Sequence, residues 1–274
     1  SVTGVQTCAL PIYMIARAIG VDPLEFRRKN LLQEGRPQAT GTPMRDAALS
    51  PVLERLAEIM EWSKPFDHGS GTIRRGRGLA IGFKASIAPT TSVAMVTVHA
   101  GGGCTVTCGT VDMGQGSDTL MAMIAAEVLG LPIGVVTVVH PDTDVTPYDM
   151  ATLGSRSTYH MGNAVRRAAE DARDQVRTLA RELGLSDDTS IEDVFKKRYG
   201  MKAGTIVGTG QFVPSYAPTD HQTGQSPDVT PNWMIGATGA EIEVDTETGQ
   251  VRVTRLVNVA DAGTPLNPRV VDSQ

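Results

Sequence analysis

Residues 109–130, GTVDMGQGSDTLMAMIAAEVLG, join an alternating run to an apolar run at helical spacing through a polar turn punctuated by glycine. This junction constrains the fold more than any other stretch. Before it lies strand-like alternation; after it Leu120, Ile124 and Val128 stand four apart with Met121 and Ala125 beside them, the spacing of a helix face. A helix start exposes unpaired backbone N–H groups at the positive end of the macrodipole, and glycines let a ligand come close, so the turn suits an anion such as a phosphate or a pterin-like group. The plainer assignment is an ordinary strand-to-helix turn with Ser117 or Asp118 as N-cap.

A second junction of the same kind follows. Asp142, Thr143 and Asp144 lead through Pro147 to Leu153, Gly154, Ser155, Arg156, Ser157 and Thr158. Val165, Ala168, Ala172, Val176, Leu179 and Leu183 then repeat every three or four residues, which predicts a long amphipathic helix between about 161 and 183. Two hydroxyl-rich helix starts, one carrying an arginine, can hold an extended anion from two sides.

Four blocks together carry a family likeness: DMGQGSDTLMAMIAAEVLGLP, DTDVTPYDMATLGSRST with the helix opening GNAVRRAA, EIEVDTETGQVRV, and VADAGTPLNPRVVDSQ. In order and spacing they resemble the large, molybdenum-cofactor-binding subunit of the xanthine dehydrogenase and aldehyde oxidase family, over roughly residues 14–274. The resemblance implies an α+β fold with mixed sheets flanked by helices, part of a two-lobed molybdopterin-binding domain. It implies molybdopterin contacts at Met113, Gly114, Gln115 and Gly116, at Gly154, Ser155, Arg156, Ser157 and Thr158, at Thr119 and at Gln274. A cytosine dinucleotide form of the cofactor is expected, with the metal held by the cofactor's dithiolene, so that no protein metal ligand is needed. It further implies a molybdenum-dependent hydroxylase that oxidises an aldehyde or N-heterocycle with water as oxygen source, and partner subunits or domains carrying [2Fe–2S] and FAD. The family's glutamate base maps beyond Gln274 and another pterin loop maps upstream of Met14. No catalytic residue is therefore assigned, and the chain is expected to be an inactive fragment of a cytoplasmic enzyme. The competing assignment is a truncated, non-catalytic paralogue acting as a binding or assembly module, which an open reading frame ending at Gln274 favours.

Residues 1–12 read as an adaptor-derived scar and are set aside. Residues 13–72 are expected to form a helical segment ending an upstream lobe, and 73–274 the cofactor domain. Asp22 before Pro23 predicts a helix to about Asn30. A second helix is predicted over residues 48–62, bounded by Pro65. From Arg77 to Val111 the pattern turns to strands, with Gly101, Gly102 and Gly103 as a tight connection. Ser190 with Asp193 opens a further helix. Residues 206–216 read as a strand, and 217–232 as a loop that is either mobile or part of a binding surface or subunit contact. Two alternating runs joined by residues 246–249 make a hairpin, and the chain is expected to end in turns at Asp261 and Asn267.

With 274 residues the chain can bury a substantial core, and a net charge of −5 gives no sign of a nucleic-acid surface. No apolar run reaches the roughly twenty residues of a membrane span. Cys104 and Cys108 share one strand face and read as buried thiols, too few for an iron–sulfur cluster. No histidine sits in an HExxH spacing, and there is no GxSxG elbow or Walker loop.

Overall fold

A computed structural model describes residues 9–46, 48–86, 89–150, 152–200 and 203–273. Gln274 lies outside them, as do residues 1–8 of the set-aside leader. The chain divides into two compact units, one of Ser1–Ser86 with Ala217–Thr264 and the other of Ile87–Tyr216 with Pro265–Gln274.

The first unit contains helices α1 (Ala9–Ala18), α2 (Pro23–Asn30) and α3 (Leu49–Ile59) and an antiparallel sheet of order β1-β6-β7, from β1 (Ile73–Ala85), β6 (Trp233–Asp245) and β7 (Val251–Asp261). Helix α1 begins within the leader set aside above. Asp22 caps α2 by accepting from the Leu24 amide at 2.8 Å, as the Asp-Pro pair predicts. On α3, Leu49, Val52, Leu53 and Leu56 recur on one face and pack with Leu79, Ile235 and Ala237 of the sheet. Strand β1 runs the full length of β6, from Ile73 opposite Asp245 to Ala85 opposite Trp233. The strand expected to open the second domain thus pairs, 160 residues on, with the hairpin in the unit that holds the N-terminal helices. The 217–232 loop is tied down within this unit: Ser226 N–H donates to Thr40 O (2.7 Å) and Thr42 Oγ1 to Ser226 O (2.7 Å).

The second unit is a mixed sheet of order β4-β3-β2-β5 with two helices packed on it. Its strands are β2 (Ser92–His99), β3 (Cys104–Cys108), β4 (Val136–Val139) and β5 (Thr205–Phe212). Along β2 burial alternates strictly, so Ala94, Val96 and Val98 face the core. Helix α4 (Ser117–Leu129) is the crossover that makes β3 and β4 parallel. Helix α5 (Gly162–Glu182) lies over β5 and β2 through Ala164, Ala168 and Ala172, and it can come so near because β5 offers Gly208 and Gly210. A Cβ at either would overlap an α5 carbonyl. Side chains of α5 also occupy the outer edge of β5: Thr209 N–H donates to Asp171 and Gln175 Nε2 to Val207 O (3.0 Å). Helix α6 (Ile191–Tyr199) is capped by Ser190, which accepts from the Asp193 amide at 3.1 Å.

Two features differ from the sequence reading. The long helix is entered through a π turn, Ser157–Met161. The chain closes with a six-residue helix, α7 (Pro268–Ser273), where turns were expected. Asn267 before Pro268 is the same opening signal as Asp22 before Pro23.

Candidate functional site

Because β3 and β4 are parallel neighbours, with Thr107 opposite Val139, the loops that leave them emerge at one end of the sheet. These loops are residues 109–116 and 140–156, the two glycine-bearing junctions. Direct bonds join them: Val111 N–H donates to Thr152 Oγ1 at 2.7 Å, and Thr110 Oγ1 to Ser157 Oγ at 3.3 Å. Gly109 permits the approach, since a Cβ there would lie 2.7 Å from Asp149 Cβ and 3.2 Å from Pro147 O. Placement at the carboxyl ends of parallel strands is also where open α/β sheets bind ligands.

The first junction is internally braced. Asp112 Oδ1 accepts from the Gly114 (2.8 Å) and Gly116 (3.4 Å) amides and its Oδ2 from the Asp118 amide (3.0 Å). The carboxylate thereby occupies the positive start of α4, and these amide bonds hold its pKa below the ordinary carboxylate value. Neither Ser117 nor Asp118 serves as the cap: Ser117 Oγ donates instead to Val111 O at 3.2 Å. Asp118 is shifted the other way, chiefly by burial and then by the charge of Asp112, and its Oδ1 is buried without a hydrogen-bond partner among the described residues. Gln115 is turned back into its own loop, with Nε2 on Val111 O (2.8 Å) and Oε1 accepting from the Met113 amide (2.7 Å). Gly116, at φ 79°, sits where a Cβ would meet Val270 of α7 at 3.2 Å. What this loop presents outward is Met113 (69% exposed), the Gly114 backbone at φ 105° with open space beside it, and Thr119.

The second junction is built differently. Gly154 (φ 61°) and Ser155 (φ 59°) form a left-handed turn, and Ser155 and Thr158 are exposed with Ser157 half-buried. Among the described residues, the N-cap position Arg156 makes no side-chain bond to the first amides of the π turn. The arginine, expected to reach an anion, is instead turned inward with its side chain wholly buried. Its Nη1 donates to both oxygens of Asp149 (2.9 and 2.8 Å), and its Nη2 to Ser92 Oγ (2.7 Å) and Thr91 O (3.2 Å). Ser92 Oγ in turn donates to Asp149 Oδ1 at 2.7 Å. The family resemblance placed Arg156 among the cofactor contacts; burial of the pair withdraws its guanidinium from any charge contact with a ligand and leaves only its backbone.

Sequence reasoning missed Asp112, Thr152, Asp149 and Ser92. Asp112 carried a signal, because an aspartate two residues before a glycine favours an Asx turn. Thr152 and Ser92 carried none, since their partners lie far away along the chain, and no motif marks Asp149, seven residues before Arg156. Cys104 and Cys108 are buried free thiols, each pushed up to about 11 by burial.

Comparisons with known proteins place the chain in a family. Residues 53–274 match the family model described as a molybdopterin cofactor-binding domain, and the chain belongs to that family. It is 28% identical to the xanthine dehydrogenase molybdenum-binding subunit of Escherichia coli over 94% of its own length and 37% of that protein's. It is 30% identical to the aldehyde oxidoreductase of Megalodesulfovibrio gigas over 95% of its own length and 28% of that protein's. The crystal structure of the aldehyde oxidoreductase from Desulfovibrio desulfuricans superposes with a TM-score of 0.80 at 28% identity, covering 95% of this chain and 28% of that one. The chain therefore spans about a third of the length of these relatives. Among the described residues, no helix is long and apolar enough to cross a membrane.

Proposed function

We propose that this chain is the molybdopterin-holding part of a molybdenum hydroxylase catalytic subunit, and that residues 113–116, Thr119 and 154–158 contact the cofactor, Arg156 through its backbone alone. The observation that carries this is the joining of the two loops at one sheet end by Val111 N–H to Thr152 Oγ1. The residues present fit such a group. The start of the π turn, where the N-cap Arg156 makes no side-chain cap bond among the described residues, the hydroxyls of Ser155, Ser157 and Thr158, and the open flank of Gly114 suit an anionic pterin with a pyrophosphate tail. Asp112 already fills the α4 start, so this reading gives the anion to the second junction and the neutral pterin edge to the Gly114 backbone.

When bound, the cofactor supplies the redox chemistry that hydroxylates an aldehyde or N-heterocycle with oxygen from water. The chain's own residues bind and orient it. Ser157 and Thr158 donate to its oxygens, Gly114 lets its ring approach, and Gln115 keeps the first loop closed. Gln274 joins these contacts in the reading. The cytosine dinucleotide form suits a site with two separated contact regions. The resemblance to the whole family supports a cytoplasmic complex with iron–sulfur and FAD subunits.

Anaerobic purification of the chain from cells that make molybdopterin cytosine dinucleotide, with analysis of released pterin and nucleotide, tests this reading. Pterin accompanied by CMP is expected. Absence of pterin from a folded chain under cofactor-replete conditions contradicts it, and pterin without CMP corrects the cofactor form.

A further inference from the structure

We infer that Arg156 is a positioning residue: its buried guanidinium, locked to Asp149 and Ser92, sets the 154–158 turn that faces the cofactor. This rests on the proposed function, which assigns that turn to the ligand but says nothing of what holds it in place.

The geometry is specific. Arg156 is the largest of the fully buried side chains, and it ties three separate pieces of the second unit together. Thr91 and Ser92 belong to the entry of β2, Asp149 to the loop after β4, and the arginine itself to the turn. Asp149 is fixed independently, by the Ser92 hydroxyl and by the close approach of Gly109. The turn needs such fixing because Ser155 sits at φ 59°, a region an L side chain disfavours. Ser155 and Ser157 flank Arg156 directly, so fixing the arginine fixes both neighbours, Ser155 exposed and Ser157 half-buried with its hydroxyl on Thr110. The guanidinium sends Nη1 to Asp149 and Nη2 to Ser92 and Thr91, two directions held in one plane that a single ammonium cannot reproduce.

Positioning and direct contact make opposite forecasts. If the guanidinium touched the ligand's anion, Asp149→Asn would free it and leave binding equal or tighter, and Arg156→Lys would keep most of the affinity. As a positioning residue, Arg156 loses its effect in either variant, because each removes part of the lock among Arg156, Asp149 and Ser92. The double variant Asp149→Asn with Arg156→Met then does little more harm than one change alone.

The test uses the full 274-residue chain in two arms. Without ligand, amide hydrogen exchange at residues 153–158 should quicken by about tenfold or more in Arg156→Lys and in Asp149→Asn, with α5 protection unchanged. With molybdopterin cytosine dinucleotide released anaerobically from a purified molybdenum hydroxylase, the dissociation constant should rise by about tenfold in each single variant and by no more than about twofold further in the double. Ser92→Ala, which removes one arm of the lock, gives a smaller change in the same direction and serves if the charged variants do not fold. Wild-type affinity in Asp149→Asn, or full affinity in Arg156→Lys beside loss in Arg156→Met, overturns the inference. Failure of the wild-type chain to bind the cofactor overturns the proposed function instead, while unchanged exchange at 153–158 in the variants overturns the positioning role on its own.

Discussion

At the start of α4 the first amides are already bonded to a carboxylate, Asp112, whereas at the π turn ahead of α5 the charged side chain of the same segment is drawn beneath the turn. Both segments are glycine-bearing loops that enter amphipathic helices at the same end of one sheet. Their sequences differ little in kind: an acid, a glycine, a serine and a helix. Their electrostatics differ because Asp112 lies within reach of amides on its own loop, while the arginine finds its carboxylate, Asp149, seven residues earlier and a serine on another strand. A glycine-rich helix start is thus an anion site only if the chain has not filled it first.

The largest expected difference between the two starts is in stability. Arg156→Met leaves Asp149 buried without its charged partner and should cost about 3–5 kcal/mol in denaturant unfolding. The contrast fails if Asp112→Ala, expected to cost about 1 kcal/mol as a lost cap, costs as much. Next in size is the seat of α5. Gly210→Ala sets a methyl group against the Ala164 carbonyl and should cost about 1–3 kcal/mol. A neutral Gly210→Ala would mean that α5 does not lie against β5 as closely as described. On the α4 side, Gly116→Ala must keep φ 79° against Val270 and should cost about 1–2 kcal/mol in the same measurement.

The smallest effect is acid sensitivity. Asp112 has a depressed pKa in the fold, so its stabilising contribution is complete above the ordinary aspartate value near 3.9 and is lost as pH falls through the lower folded value. Amide chemical shifts of Gly114, Gly116 and Asp118 should move together in that acid range, and Asp112→Asn should abolish the transition.

Much of this molecule is local and could be read in order. The caps at Asp22 and Ser190, the hairpin turned at 246–249 and the entry to α4 each depend on residues within a few positions of one another. The pairing of β1 with β6 and the lock on Arg156 depend on residues up to 172 positions apart, which no local pattern encodes. The final helix was missed for another reason. Six residues are too few to show a helical period, and only the Asn267-Pro268 pair announced it. Within the site, backbone placement was legible from the glycines, whereas the direction of each side chain was not. Gln115 and Arg156 both turn inward to hold loops, and nothing in their spacing distinguishes a brace from a contact.

The central claim is that the two junctions share one ligand, and mapping amide shifts on the labelled chain during titration with molybdopterin cytosine dinucleotide tests it most directly. Saturable changes concentrated at residues 113–116 and 154–158, rising with a single dissociation constant, are expected. Changes confined to one junction, or centred elsewhere on the chain, would contradict it.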